Sequence, residues 1–487
     1  MNARDRVRSQ LKDWSIPALL AGLYALSRFV YALAGVRFAG NTFNLGWQFI
    51  DLDLLKHDLW RSLFYLHSQP PLLNLFTGLT LQLFPEGYSR VFQSAFLLGG
   101  LVLILSLYAL GRRLGFSKPL AAAVAAWFSV SPATVVYENW YSYAYPLTVA
   151  LVLAGAFLGR FLERKRPVDA LVFSIALASM ALTWGLFHLV WLAGCFAIVA
   201  LAFRRNARKL LWLLPALMLV VGWYAKNGIL YGSFTASSWA GMNLSKIVTL
   251  HIPEDTRKAW VKQGLVSDLV LLPPFRSRSV YLRYFPDTPE TGIPLLDQES
   301  YASGFPNYHS LVHIAASRQQ MRDSIRMIRL APRHYLLNVL RAVYIFFHAA
   351  SDYEHVYEIR QPVDGLDTLW NRLFYGQWQK GETFPEMGAS FSLDHVAWGL
   401  LLAYVVALGG LAVILWRARA APFDNRVVLL LFFLWNILFV SAAGTMLDIG
   451  ENNRFRFTID PFIWLTFVFV LRAALRAWRG RTKSLAR

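Results

Sequence analysis

Three groups of side chains in this 487-residue sequence have the types and spacing to do chemistry. The first lies in Gly46–Leu79, GWQFIDLDLLKHDLWRSLFYLHSQPPLLNLFTGL, which holds Asp51, Asp53, Asp58, His57, His67, Trp47, Trp60 and the step Pro70-Pro71. Asp51 follows Trp47, Phe49 and Ile50, an apolar approach that would desolvate its carboxylate and make it a better general base. Asp53 is close enough to take its place, and Asp58 is spaced to pair with Arg61 at i, i+3. On a helix, Asp51 and Asp58 would share a face; simple capping of an exposed helix start would also favour aspartates here. The second group centres on Glu138, the sole charge between Ser131 and Arg160, set among Tyr137, Trp140, Tyr141 and Tyr143. Ring faces stack on pyranose C–H faces while an acid accepts hydroxyl hydrogen bonds, although the same aromatics also suit a membrane-interface belt. In the third group, Glu451 is spaced to hold Arg454, whose planar fork suits a phosphate, with Arg456 beside them. His57, His67 and His188 could bind phosphate or metal. None of these three is spaced His-x-x-x-His with another histidine, so no metal is assigned and His67 alone is retained. Walker, dinucleotide and Gly-x-Ser-x-Gly patterns are absent from the sequence.

These groups must be positioned by membrane helices. With 56% hydrophobic and 16% charged residues, and repeated apolar runs of spanning length, the chain reads as an all-α polytopic membrane protein. The net charge of +19 does not indicate nucleic acid, because the basic clusters Arg4–Lys12, Arg160–Arg166, Arg204–Lys209, Arg417–Arg426 and Arg472–Arg487 each flank an apolar run. That is the positive-inside pattern of cytoplasmic ends. The run Ile16–Val36 is long for a signal peptide and reads as a retained first helix. Cys195, the single cysteine, lies in an apolar run and reads as a buried hydrophobe. About ten spans are expected, both termini cytoplasmic, with residues 37–87, 227–393 and 445–458 on the other side. Pro71–Phe84 is short for a span and reads as interfacial; Tyr335–Ala350 reads as re-entrant or interfacial, since it would invert the Arg417–Arg426 loop if it crossed. His309–Leu330 reads as an amphipathic element near the membrane. The expected organisation is a catalytic membrane module (1–226), an insertion with membrane-associated helices (227–393) and closing spans (394–487).

The acidic first loop with Gln69-Pro70-Pro71-Leu72 resembles that of the GT-C glycosyltransferases, polytopic enzymes using polyprenyl-phosphate sugars. They include protein O-mannosyltransferases and the lipid A aminoarabinose transferase. SPATVVYENWYSYAYP (131–146) looks like their second outer loop. AKNGILYGSFTASSWAGMNLS (225–245) is similar to the opening of their large loop, with Lys226 in place of arginine. ENNRFRFTIDP (451–461) resembles their Glu-x-x-Arg-Tyr segment, with Phe455 for tyrosine, and Leu182-Thr183-Trp184 stands where many members have Leu-Thr-Arg. The resemblance implies a GT-C membrane fold and an inverting transferase of the inner membrane, active on its extracytoplasmic side. A polyprenyl-phosphate sugar would be the donor and a lipid or glycan the acceptor, with no cofactor or nucleic-acid partner. Asp51, Asp53 and Glu138 are then the candidate catalytic acids, and Arg454, Lys226 and His67 the donor-phosphate ligands. Glu451, Trp47, Trp140 and Tyr141 would support them. Two other classes stand as alternatives. A lipid or polysaccharide transporter would show inverted repeats and interrupted helices, and neither is evident in the sequence. A membrane-bound acyltransferase would need a catalytic histidine inside a span, whereas the histidines singled out lie near span ends.

Overall fold

The computed structural model describes residues 3–40, 46–204, 206–381, 391–418 and 424–485, with side chains between Ser15 and Arg479. Among these residues every regular element is helical, and pairing between extended segments is limited to the isolated bridges Ala39–Trp140 and Ser300–Pro306. Seven helices are long and apolar enough to cross a membrane: Ser15–Leu33, Tyr88–Arg113, Ala144–Arg164, Ala207–Tyr231, Trp398–Arg417, Asn425–Met446 and Asp460–Arg479. An eighth crossing is formed if Lys118–Val130 and Pro132–Glu138 count as one span. That pair bends by 58° because Ser131 stops one helix and caps the next, with Pro132 at its first position.

The expected ten spans are thus seven or eight by length and composition. The difference lies in Pro167–Ala181 and Leu189–Ala202, apolar helices of 15 and 14 residues. At 1.5 Å per residue they extend only about 20 Å, short of a hydrocarbon core of about 30 Å. The other short segments also form helices: Leu72–Leu83, Val312–Leu330 and Pro332–Phe346, the last taking the place of Tyr335–Ala350.

The basic turns gather at one end of the bundle. Arg113 lies 3.4 Å from Glu163 and Arg160 lies 2.8 Å from Asp169, while Arg472 donates to the Gly115 carbonyl. Residues 419–423 of the loop before Arg426 lie outside the described residues. At the other end, the first loop, the insertion and the last interspan loop pack together. Helices Ala240–Thr249 and Val312–Leu330 cross so closely that a Cβ on Gly241 would fall 1.8 Å from the Ser317 carbonyl oxygen. Only glycine allows that approach, and Gly241 N donates to Ser317 Oγ at 3.0 Å. A cluster of Leu244, Ile247, Val248, Met327 and Ile345 then seats the insertion on Ile449, between the last two spans.

Candidate functional site

Asp51 caps the short helix Leu52–His57, and its carboxylate is buried. Oδ1 accepts from Asp53 N at 3.1 Å and Oδ2 from Ala302 N at 3.0 Å, so the insertion closes over the first loop here. The same clasp takes in the Phe49 carbonyl, which accepts from Tyr301 Oη at 2.9 Å and meets His309 Nε2 at 2.9 Å. Asn74 holds the loop from below, accepting from Ile50 N and donating to the Gln48 carbonyl, each at 2.9 Å. Asp53 is exposed and 3.6 Å from His57. Asp58 ends the Leu52–His57 helix, so it shares no continuous helical face with Asp51. The expected pair with Arg61 does not form; Arg61 donates instead to the Gly292 carbonyl at 3.0 Å.

His67 is buried behind this loop, with Nδ1 2.7 Å from Ser238 Oγ. Its Nε2 has no hydrogen-bond partner. Burial, then His309 and Lys226 nearby, push its imidazole well below the ordinary range, so the ring is neutral. Lys226 donates to the Leu66 carbonyl and lies 3.5 Å from the centroid of Trp223. Trp47 is part-exposed and packs 4.9 Å from Phe275 and 5.1 Å from Tyr308.

Glu138 meets different partners from those its aromatic neighbours suggest. It is fully buried, and Arg28 of the first span donates to both of its oxygens at 2.8 Å. Tyr24 and Tyr145 hydroxyls reach Oε2 at 3.2 and 2.5 Å. Gly100 makes room for this knot, since a Cβ there would stand 2.3 Å from Oε2. With Oε1 taking one donor and Oε2 three, the arrangement is that of a buried, hydrogen-bonded ion pair. Trp140 and Tyr141 are both buried. Trp140 packs 5.4 Å from Tyr353, whereas Tyr141 stacks 4.0 Å from Phe92 with its hydroxyl 2.8 Å from Thr77 Oγ1.

Arg454 is the centre of an aromatic cage. It pairs with Glu451, and its guanidinium lies 4.9, 5.2, 5.3 and 5.7 Å from the rings of Tyr143, Tyr353, Phe455 and Trp184. Tyr353 Oη donates to Glu451 Oε1 at 3.1 Å, while Arg454 Nε is buried without a hydrogen-bond acceptor. Burial raises the Glu451 carboxyl, but Arg454, then Lys246 and His355, outweigh it and hold the group below its usual range.

An apolar groove of about 530 Å³ is lined in part by close sequence neighbours of the cage residues. Its walls come from helices Leu72–Leu83, Tyr88–Arg113, Ala144–Arg164 and Pro167–Ala181, with Phe76, Phe96, Leu153 and Ile175 among the lining side chains. Thr183 of the lining is next to Trp184 in the chain, and Tyr145 is two residues from Tyr143. The Pro70-Pro71 step starts Leu72–Leu83 at this wall, and Leu72 N donates to the Leu182 carbonyl at 2.8 Å.

The predicted residues therefore fall into three places. Asp51, His67, Lys226 and Trp47 lie on the clasp side, and Arg454, Glu451 and Trp140 on the cage side. Glu138 sits apart with Arg28. The segment 137–145 joins these places, with Tyr141 stacking 5.9 Å from Phe49 and Tyr143 under Arg454. Arg28 and Tyr353 were not singled out from sequence, and Arg456 and Trp184 were named there without a role. The buried Arg456 lies 2.9 Å from Asp460 and donates to the His348 carbonyl at 2.6 Å, anchoring the loop. A lone arginine inside an apolar run was the available signal for Arg28. Among the described residues no group of three His, Cys, Asp or Glu side chains has a metal-binding arrangement.

No protein-family model matches the sequence, and no curated protein does. Among solved structures, the chain is similar to the Archaeoglobus fulgidus oligosaccharyltransferase tethered with an acceptor peptide. The TM-score is 0.39 at 13% identity, covering 97% of this chain and 51% of that one. It is also similar to ArnT from Cupriavidus metallidurans bound to undecaprenyl phosphate, at a TM-score of 0.33 and 16% identity, over 92% of this chain and 77% of that one. Both are glycosyltransferases of the GT-C superfamily, and this chain spans about half the length of the first. At TM-scores below 0.5 these likenesses carry no argument about the site, whose chemistry rests on the geometry of the chain's own residues.

Proposed function

We propose that this protein is an integral-membrane glycosyltransferase of GT-C type that moves a sugar from a polyprenyl phosphate to a lipid or glycan hydroxyl. The observation that carries the reading is the caged Arg454 guanidinium, with an apolar groove whose lining residue Thr183 is the chain neighbour of the cage residue Trp184. A polyprenyl phosphate sugar is an isoprenoid tail, an anion and a pyranose in that order. The groove would take the tail, Arg454 the anion, and the rings of Tyr143, Trp184 and Tyr353 around it the pyranose. In the reaction an acceptor oxygen attacks the anomeric carbon from the face opposite the phosphate. The bond from carbon to phosphate oxygen breaks, its electron pair stays on the departing polyprenyl phosphate, and the configuration inverts. Arg454 stabilises the charge that grows on that phosphate, held in place by Glu451. The acceptor proton passes to Asp51, once Ala302 N releases the carboxylate oxygen it now holds. Active-site access from the extracytoplasmic side of an inner membrane belongs to the same proposal and rests on the gathering of basic turns at the opposite end.

Turnover with a polyprenyl-phosphate sugar tests it. Asp51→Asn should lower the rate about 10²–10⁴-fold with donor binding retained, as expected for loss of a general base. Arg454→Lys keeps the charge and loses the fork, so it should bind donor and transfer slowly, while Arg454→Ala loses both. Wild-type turnover by Arg454→Ala would place the phosphate elsewhere and remove the central support for the reading.

A further inference from the structure

Lys246 was not singled out from sequence, and it lies on the rim of the Arg454 site. It projects from Ala240–Thr249, the insertion helix fixed by the Gly241–Ser317 crossing. Its ammonium is 3.4 Å from Asp448 Oδ1, with the two side chains 29% and 20% exposed. Asp448 precedes Glu451 by three residues, and Lys246 is close enough to help hold the Glu451 carboxyl down.

Charge balance gives this position its meaning. The Arg454–Glu451 pair is neutral as a unit. A sugar phosphodiester brings one negative charge, and the monoester left after transfer carries up to two. Trp184 supplies a ring rather than a cation beside Arg454. Lys226, a phosphate ligand by the family resemblance, instead donates to the Leu66 carbonyl and lies over Trp223 on the clasp side. Resting on the donor reading above, we propose that Lys246 is the second cation of the donor-phosphate site, exchanging Asp448 for a phosphate oxygen when the lipid binds. A lysine suits the exchange because its four-carbon stem is flexible and its ammonium has three rotatable donors. The insertion would thereby take part directly in donor binding, with Asp448 keeping the ammonium near the rim until the phosphate arrives.

The test uses the full-length protein in lipid nanodiscs, with undecaprenyl phosphate and the neutral polyprenol as probes. Lys246→Gln should weaken undecaprenyl phosphate binding about tenfold and leave polyprenol binding unchanged. Lys246→Arg should restore most of the loss, and Asp448→Asn, which removes the competing carboxylate, should bind the phosphate as tightly as wild type or more so. If Asp448→Asn weakens binding as much as Lys246→Gln, the pair is only a strut between insertion and loop, and the proposal is wrong. Wild-type binding by Lys246→Gln, with loss in Arg454→Ala, overturns the role of Lys246 and leaves the donor reading standing. Unchanged binding in both Lys246→Gln and Arg454→Ala overturns the two together.

Discussion

Among the buried arginine–carboxylate pairs of this protein, Arg28–Glu138 and Arg454–Glu451 differ most in their surroundings. Glu138 accepts from Arg28 Nε and Nη2 and from two tyrosines. Removing one member of such a pair strands a charge in the interior, at a cost of about 3–5 kcal/mol. Glu138→Gln should therefore lower the unfolding temperature in detergent, while the fraction that remains folded turns over near the wild-type rate. Loss of turnover at unchanged stability would restore Glu138 to the chemistry. Arg454 differs in that its Nε has no acceptor and its partner Glu451 is partly open. A buried donor without a partner costs free energy, and an arriving anion would satisfy it.

At the scale of elements, the clasp of residues 299–309 over Phe49–Asp51 is held by histidines that are neutral because they are buried. Burial pushes His309 and His313 from 6.5 down to about 4, against partial support from hydrogen bonds to backbone at Phe49 and Arg276. Protons therefore bind the unfolded or opened clasp first. The stability it contributes is complete above pH 6.5 and falls as the pH drops from there toward 4. Amide hydrogen exchange in 299–309 should accelerate, relative to intrinsic rates, between about pH 7.5 and about pH 5. Phe49→Ala would not reproduce this effect, because the Phe49 carbonyl is main chain, whereas His309→Gln should flatten the pH dependence. An opening unchanged across that range would mean that other contacts hold the clasp.

For the whole molecule, the charge distribution sets the orientation. Ser279 lies exposed on the insertion and Ser117 lies exposed at the basic end, near Arg112 and Arg113. Cys195 is buried, so it gives little background. Ser279→Cys should react with an impermeant thiol reagent in intact spheroplasts, and Ser117→Cys only after permeabilisation. The reverse pattern would invert the assignment. The short helices Pro167–Ala181 and Leu189–Ala202 matter here, since whether both cross decides the span count without changing which end Ser279 occupies.

The sequence by itself determined what one-dimensional quantities can: an apolar, helical membrane chain, basic ends gathered on one side, and the segments that carry the ionisable groups. Apolar run length and flanking charge decide insertion locally, so the first span, Tyr88–Arg113 and the three closing spans were legible. The pairing Glu451–Arg454 was legible too, because three residues of spacing bring two side chains onto one helical face. Long-range partners were not. Nothing in the sequence around Glu138 announces Arg28, 110 residues away, and its aromatic neighbours pointed to a sugar instead. Only tertiary structure decided that Tyr143, Trp184 and Tyr353, from three separate segments, surround one guanidinium. Only tertiary structure moved Lys226 to the Leu66 carbonyl and brought Lys246 to the rim. The reason is physical: the role of a buried charge is set by which opposite charge, ring or carbonyl the packing places within a few ångströms, and that choice is made by helix crossings rather than by neighbours along the chain.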